Sequence, residues 1–287
     1  MKDLYKHIVS EGILSDVDTS IDKMDIDASQ ARVYKWIKDN ITPGNRPSIT
    51  VYEDGSISFI TLTIYNNDNI TEIPDFITYH RYMNDMKPTI YIHNCKNFKS
   101  LGKLFPFVHS IRIVDCPKFE GFQSCTKLHR ILSDCTITRC DNFQLTDDIP
   151  DCRILEINEC PKVKDLSGIR RREVHTLCLR KVNITNVNDI PWECQKLILY
   201  SLPKLNSMTY LPPGLEELYC SNLKIKPGEI LRDNEEFRKT LTTSKGKFLY
   251  NDNSIFKSLN VGTQQYDFFY KRKLICTGDG KLPEKTK

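Results

Sequence analysis

A chain of 287 residues, 39% of them hydrophobic and 10% aromatic, is long enough for one large domain or two ordinary ones and apolar enough to bury a core. The net charge of +4, from 41 basic and 37 acidic residues, gives no basic excess that would demand a nucleic-acid partner. No stretch approaches the roughly 18 apolar residues that span a bilayer, and the eleven cysteines, odd in number and without a C-x-x-C pair, fit neither a disulfide framework nor a zinc site.

Residues 1–47 read as an acidic, helical N-terminal segment. The first 27 residues hold seven acids against three lysines, and the opening M-K-D-L-Y-K-H-I-V-S-E-G has no apolar run of the kind a secretory signal needs. The expectation is a cytoplasmic protein. Leu4, Ile8 and Val9 suggest a short amphipathic helix. Ala31, Val33, Tyr34, Trp36, Ile37 and Ile41 recur at mostly helical spacing until Pro43-Gly44 ends the pattern. Residues 48–60 contain two alternating runs joined by Glu53-Asp54-Gly55, which predicts a β-hairpin. Its Ile49, Val51, Ile57 and Phe59 are expected to cap the first edge of a sheet that would otherwise invite pairing.

From 59 to 225 the chain repeats itself. Residues 90–98 read I-Y-I-H-N-C-K-N-F, 111–119 I-R-I-V-D-C-P-K-F, 155–163 L-E-I-N-E-C-P-K-V and 197–205 L-I-L-Y-S-L-P-K-L. The phrase is apolar, any, apolar, two of any kind, a cysteine or substitute, and an apolar residue three further on. It recurs at Leu62, Ile64, Asn67 and Ile70, at Cys135, Ile137, Cys140 and Phe143, and more loosely from Leu177 and Leu218. Successive copies start 28, 21, 24, 20, 22, 20 and 21 residues apart, the first interval implying an insertion around 78–86. Alternation of apolar residues predicts a short strand with one buried face. The cysteine or asparagine falls at the bend after it, where Cys95, Cys116, Cys140 and Cys160 are expected to stack as structural thiols, not as metal ligands or nucleophiles.

These eight phrases resemble the leucine-rich-repeat family, with its L-x-x-L-x-L-x-x-N/C-x-L signature and comparable period. The resemblance implies an α/β solenoid with a parallel sheet on a concave face and an irregular or 3-10 convex side. Such solenoids bind partners on the concave face, so the residues between the core positions become the expected contact surface for a protein partner. They include Tyr65, Tyr91, His93, Arg112, Glu156, Arg180, Tyr200 and Tyr219, and tyrosine and arginine are types enriched at binding hot spots. Residues 226–287 are expected to form a C-terminal cap and basic tail: a helix from Pro227-Gly228 to about Leu241, a strand over 266–276, then a turn at Gly278-Asp279-Gly280.

Catalytic, cofactor-binding and metal-binding residues are not predicted. The six histidines are scattered, and neither G-x-S-x-G, H-E-x-x-H nor a paired acidic motif occurs. Arg170-Arg171-Arg172 could contact phosphate, though such a run between repeats is more often a solvated turn. The opening residues are similar to those of uncharacterised proteins of tailed phages of gut Bacteroidota, some with degenerate leucine-rich repeats. That likeness implies a phage-encoded protein working in the host cytoplasm or the virion. Two other readings stand beside a protein-binding module. One is an F-box-like substrate adaptor, its N-terminal segment recruiting a ubiquitin ligase. The other is an enzyme with an unrecognised site.

Overall fold

The computed structural model describes residues 48–51, 57–73, 89–101, 108–122, 131–243, 246–251, 256–260, 268–270 and 273–276. The N-terminal segment 1–47, the hairpin turn at Asp54-Gly55, the insertion expected over 78–86 and the turn at Gly278-Asp279-Gly280 lie outside them. The chain divides into two compact units, Met1–Phe143 and Gln144–Lys287, and each is a parallel-sheet β-solenoid with little helix.

In the first unit the strands are β1 (Ser48–Val51), β2 (Ile57–Tyr65), β3 (Glu72–Ile73), β4 (Thr89–His93), β5 (Ser100–Leu101), β6 (Ser110–Val114), β7 (Gly121–Phe122) and β8 (Leu132–Thr138). β1 pairs antiparallel with β2, Ile49 opposite Phe59 and Val51 opposite Ile57. β2 then runs on without a break into the first repeat, so hairpin and solenoid share one strand. β2, β4, β6 and β8 are parallel, and their core positions fall in register: Leu62, Ile90, Ile111 and Cys135 in one row, Ile64, Ile92, Ile113 and Ile137 in the next. All eight side chains are buried.

The far side of this unit differs from the irregular segment that the sequence suggests. β3, β5 and β7 form a second, three-stranded parallel sheet. The reason is spacing: Ile73, Leu101 and Phe122 each follow a buried residue (Ile70, Phe98, Phe119) by the same three positions, which aligns the backbones for pairing. Between the two sheets Phe98, Phe119 and Phe143 stack face to face, centroids 5.6 and 5.7 Å apart and planes within 3° of parallel.

The second unit contains β9 (Cys152–Asn158), a 3-10 turn (Ser167–Ile169), β10 (Val174–Arg180), β11 (Lys196–Tyr200) and β12 (Glu217–Ser221). After them come helices α1 (Pro227–Asp233) and α2 (Glu235–Thr240), then β13 (Lys247–Asn251), β14 (Phe256–Asn260), β15 (Phe268–Tyr270) and β16 (Lys273–Cys276). β9 to β13 are parallel, with Leu155, Leu177, Leu197, Leu218 and Phe248 in one row. Gly168 sits where a Cβ would come within 2.5 Å of the Leu145 carbonyl oxygen, so the 3-10 turn requires glycine there. β13 is a ninth repeat strand that the sequence reading does not include.

β14 closes the sheet antiparallel to β13. The single helix expected from 227 to 241 is two, broken at Asn234. Its buried side chain donates to the carbonyls of Met208 (2.6 Å) and Ile230 (2.8 Å) and accepts the Leu211 N–H (2.9 Å), bonds that a continuing helix would not satisfy. The strand expected over 266–276 is likewise two, β15 and β16 pairing antiparallel.

One turn design recurs in both units. Two residues past the second core position the backbone enters the left-handed region, at Asn66, Asn94, Asp115, Arg139, Glu159, Lys181, Ser201 and Asn222, with φ between 49° and 55°. The next residue fills a buried slot: Asn67, then Cys95, Cys116, Cys140 and Cys160, then Val182 and Leu202. A β-turn follows, the amide of the residue three further on donating to the slot carbonyl, as from Phe119 to Cys116 at 3.0 Å. Pro117, Pro161 and Pro203 stand at the second position of that turn, which suits a fixed φ and uses no N–H.

Phe119 packs between two rings, so Phe119→Ala is expected to cost about 3–5 kcal/mol in urea unfolding. A loss under about 1 kcal/mol would show that the ring stack does not carry the packing of this unit.

Candidate functional site

The same alternation that buries one face of each strand leaves the other partly exposed. All eight side chains expected at a contact surface lie on that outward face, half-buried at Tyr65, Tyr91, His93, Glu156, Tyr200 and Tyr219, exposed at Arg112 and Arg180. Parallel register sets Tyr91 beside Arg112, Glu156 beside Cys178, and Arg180 beside Tyr200.

In the first unit three of these residues form one cluster. Tyr65 meets Tyr91 edge-on at 5.3 Å between centroids, and Tyr91 lies parallel to His93 at 6.1 Å. His93 Nε2 is 3.0 Å from Asp115 Oδ2. Arg139 grips the same carboxylate with both Nε (2.5 Å) and Nη2 (2.7 Å). The Arg139 guanidinium, and after it His93, hold the Asp115 carboxyl below the usual carboxylate range.

In the second unit the Arg180 guanidinium lies 4.7 Å from the centre of the Tyr200 ring. Tyr219 is enclosed from both neighbouring strands, with Lys196 Nζ at 5.0 Å and Lys247 Nζ at 4.9 Å from its ring. Its hydroxyl donates to Glu217 Oε2 at 2.9 Å, and Lys196 pairs with the same oxygen at 2.9 Å. Glu217 holds Lys196 in its charged form above the ordinary lysine range. Partial burial opposes ionisation of Glu217, yet hydrogen bonds from Lys196 and Tyr219 hold its carboxyl below its ordinary range. Among the described residues, neither Arg112 nor Glu156 joins these ring contacts.

Five members of these clusters were not foreseen: Asp115, Arg139, Lys196, Glu217 and Lys247. Four left a signal. Asp115 and Arg139 immediately precede the slot cysteine in consecutive copies, and Lys196 and Glu217 immediately precede the first core leucine, so each opposite-charge pair shares a register position. Lys247 was hidden with its strand.

Among the described cysteines the hydrogen bond with Cys116 lowers the Cys95 thiol below its ordinary range, but Cys95 is fully buried. Cys95, Cys116, Cys140 and Cys160 are buried, and each Sγ donates to the carbonyl two residues back, at 3.3 to 3.5 Å. The neighbouring Cys95 thiol and burial together push Cys116 far above the ordinary thiol range. On the outward face burial and then Glu156 push Cys178 up to about 11, which leaves it protonated at neutral pH. Among the described residues no group of three or more His, Cys, Asp or Glu is placed to hold a metal ion, and no helix is long and apolar enough to cross a membrane. Comparison with protein-family models, curated proteins and solved structures finds no match to the chain.

Asp115→Asn keeps a residue that tolerates left-handed backbone but removes the charge, and is expected to lower stability by about 1 kcal/mol near neutral pH. The folded pKa of Asp115 lies below its unfolded value. Its contribution is therefore present above about pH 4 and lost as pH falls through the folded value. The gap between the two proteins in urea unfolding should narrow in acid. A gap independent of pH would mean that the carboxylate charge contributes nothing.

Proposed function

We propose that the chain is a leucine-rich-repeat protein that binds a protein partner on its concave strand face and catalyses no reaction of its own. The repeat phrase supports the family reading: strands of the main parallel sheets recur about every two dozen residues, and the buried bend after them holds Asn67, Cys95, Cys116, Cys140 and Cys160, with Val182 and Leu202 in later copies. The observation that carries the functional reading is the ordering of tyrosine, histidine and arginine on the half-exposed strand face. Tyr65, Tyr91 and His93 hold one another, and Tyr200 and Tyr219 are held by cations. Rings fixed before contact lose little freedom on binding and present large amphipathic areas.

Charges of both signs, Arg112 and Arg180 against Glu156 and Glu217, suit the surface of a protein better than a polyanion. The phage-like opening supports a phage-encoded protein whose partner belongs to the host cytoplasm or the virion. The test is affinity capture of the full chain from its native cell or virion, then titration of the recovered partner against Tyr91→Ala, Tyr200→Ala and Tyr219→Ala. Each substitution is expected to weaken binding by about tenfold or more. Unchanged affinity in the triple variant would remove the strand face as the site.

A further inference from the structure

The turns that lead into the strands of the second unit carry a feature that the strand face does not use. Asp151, Glu173 and Glu193 each lie four residues before the first core position of their strand, Leu155, Leu177 and Leu197, which pair in register. The turns therefore place three carboxylate residues in one row. One residue earlier in the two later turns stand Arg172 and Trp192. These residues, with Arg170 and Arg171, line a cleft of about 300 Å³.

Trp192 is 74% exposed, an unusual position for the largest apolar side chain. Arg172 Nη2 donates to the carbonyl oxygen of Asp147, a neutral acceptor that orients the guanidinium without cancelling its charge. Asp151 Oδ1 accepts the Glu173 N–H at 2.9 Å, which fixes that carboxylate in the same way. Arg170 leans towards Asp189 at 3.7 Å. Arg171 is exposed. The cleft is thus lined by an exposed indole, three carboxylates, of which Glu173 lies 3.8 Å from His175 Nε2, and three guanidinium groups.

We infer that this cleft binds the end of a peptide whose last residue is lysine or arginine. The indole face and the Glu173 and Glu193 carboxylates attract a cation by charge and by the ring quadrupole. Arg171 and Arg172 offer the planar donor pairs that suit a carboxylate. A basic residue at a chain end carries both charges on one short unit, whereas an internal lysine carries only one. Three basic and three acidic residues line the cleft, so neither a polyanion nor a polycation gains from it. A volume at the small end of ligand pockets fits one residue, not a folded domain.

The site shares no residue with the ring clusters, and the test leaves those untouched. Trp192 is one of two tryptophans in the chain, so full-length protein carrying Trp36→Phe reports on the cleft by indole emission. It is titrated with acetyl-Gly-Gly-Lys bearing a free carboxylate, with the same peptide amidated at its end, and with inorganic phosphate. Calorimetric titration of the unsubstituted protein gives the same comparison without relying on Trp36→Phe to fold. The expected result is saturable binding of the free acid, weakened about tenfold or more by amidation, by Arg171→Ala and by Glu193→Gln. Lack of saturable binding, equal binding of the amide, or tighter binding of phosphate than of peptide would each overturn the assignment.

Discussion

A parallel strand stack has to solve the same problem at the end of every strand: the chain must leave the sheet without leaving a buried amide unpaired. Here a left-handed residue solves it. Its N–H points along the solenoid and donates to the strand-end carbonyl of the next turn, Asn94 to Val114 at 2.9 Å, Asp115 to Thr138 at 3.0 Å, Lys181 to Tyr200 at 3.0 Å. Arginine, glutamate, lysine and serine pay about 1–2 kcal/mol to adopt this conformation, and none is a residue that favours it as asparagine does. The inter-turn bond offsets that strain and fixes where the next residue must go. That residue falls inward, into a slot too small for a long side chain.

This arrangement also explains why the slot changes character along the chain. The strand-end carbonyls of His93, Val114 and Thr138 each accept an amide from the preceding turn before any thiol reaches them. Cys95, Cys116 and Cys140 then add a second, weaker bond to an acceptor already satisfied. Losing that bond costs little. Val182 and Leu202 occupy the slot in later turns, where the carbonyls two residues back, of Arg180 and Tyr200, still receive their inter-turn amides. Cys95, Cys116, Cys140 and Cys160 thus act as fillers of a small buried space that valine and leucine also fill.

The register of the strands, the buried face and the slot were legible in the sequence because a fixed side-chain period writes them directly. What escaped depends on contacts that no period records. The second sheet of the first unit rests on two-residue strands too short to show alternation. β13 follows β12 only after two helices, with Leu218 and its partner Phe248 far apart in sequence, so its phrase F-L-Y-N-D-N-S-I-F falls outside the regular interval although it keeps the spacing of the first copy. The helix break at Asn234 comes from tertiary hydrogen bonds to Met208 and Leu211. Within the candidate site, alternation identified which side chains face outward. Which of them touch was set by cross-strand register combined with the left-handed turn.

That combination ties the outward face to the turn. His93 is the last residue of its strand, and Asp115 is the left-handed residue one turn on, so their hydrogen bond links the aromatic cluster to the turn ladder. Arg139, left-handed in its own turn, completes the link from the other side. Elsewhere along the ladder the same positions pair with one another, Asn94 with Asn66 and Lys181 with Glu159, without reaching the face. Where the strand ends in the His93 imidazole, the ladder extends into the surface rings. His93, and through its ring contact Tyr91, is therefore held by a carboxylate whose place the bend one turn away sets, so a substitution at Asp115 reaches the face through that hydrogen bond.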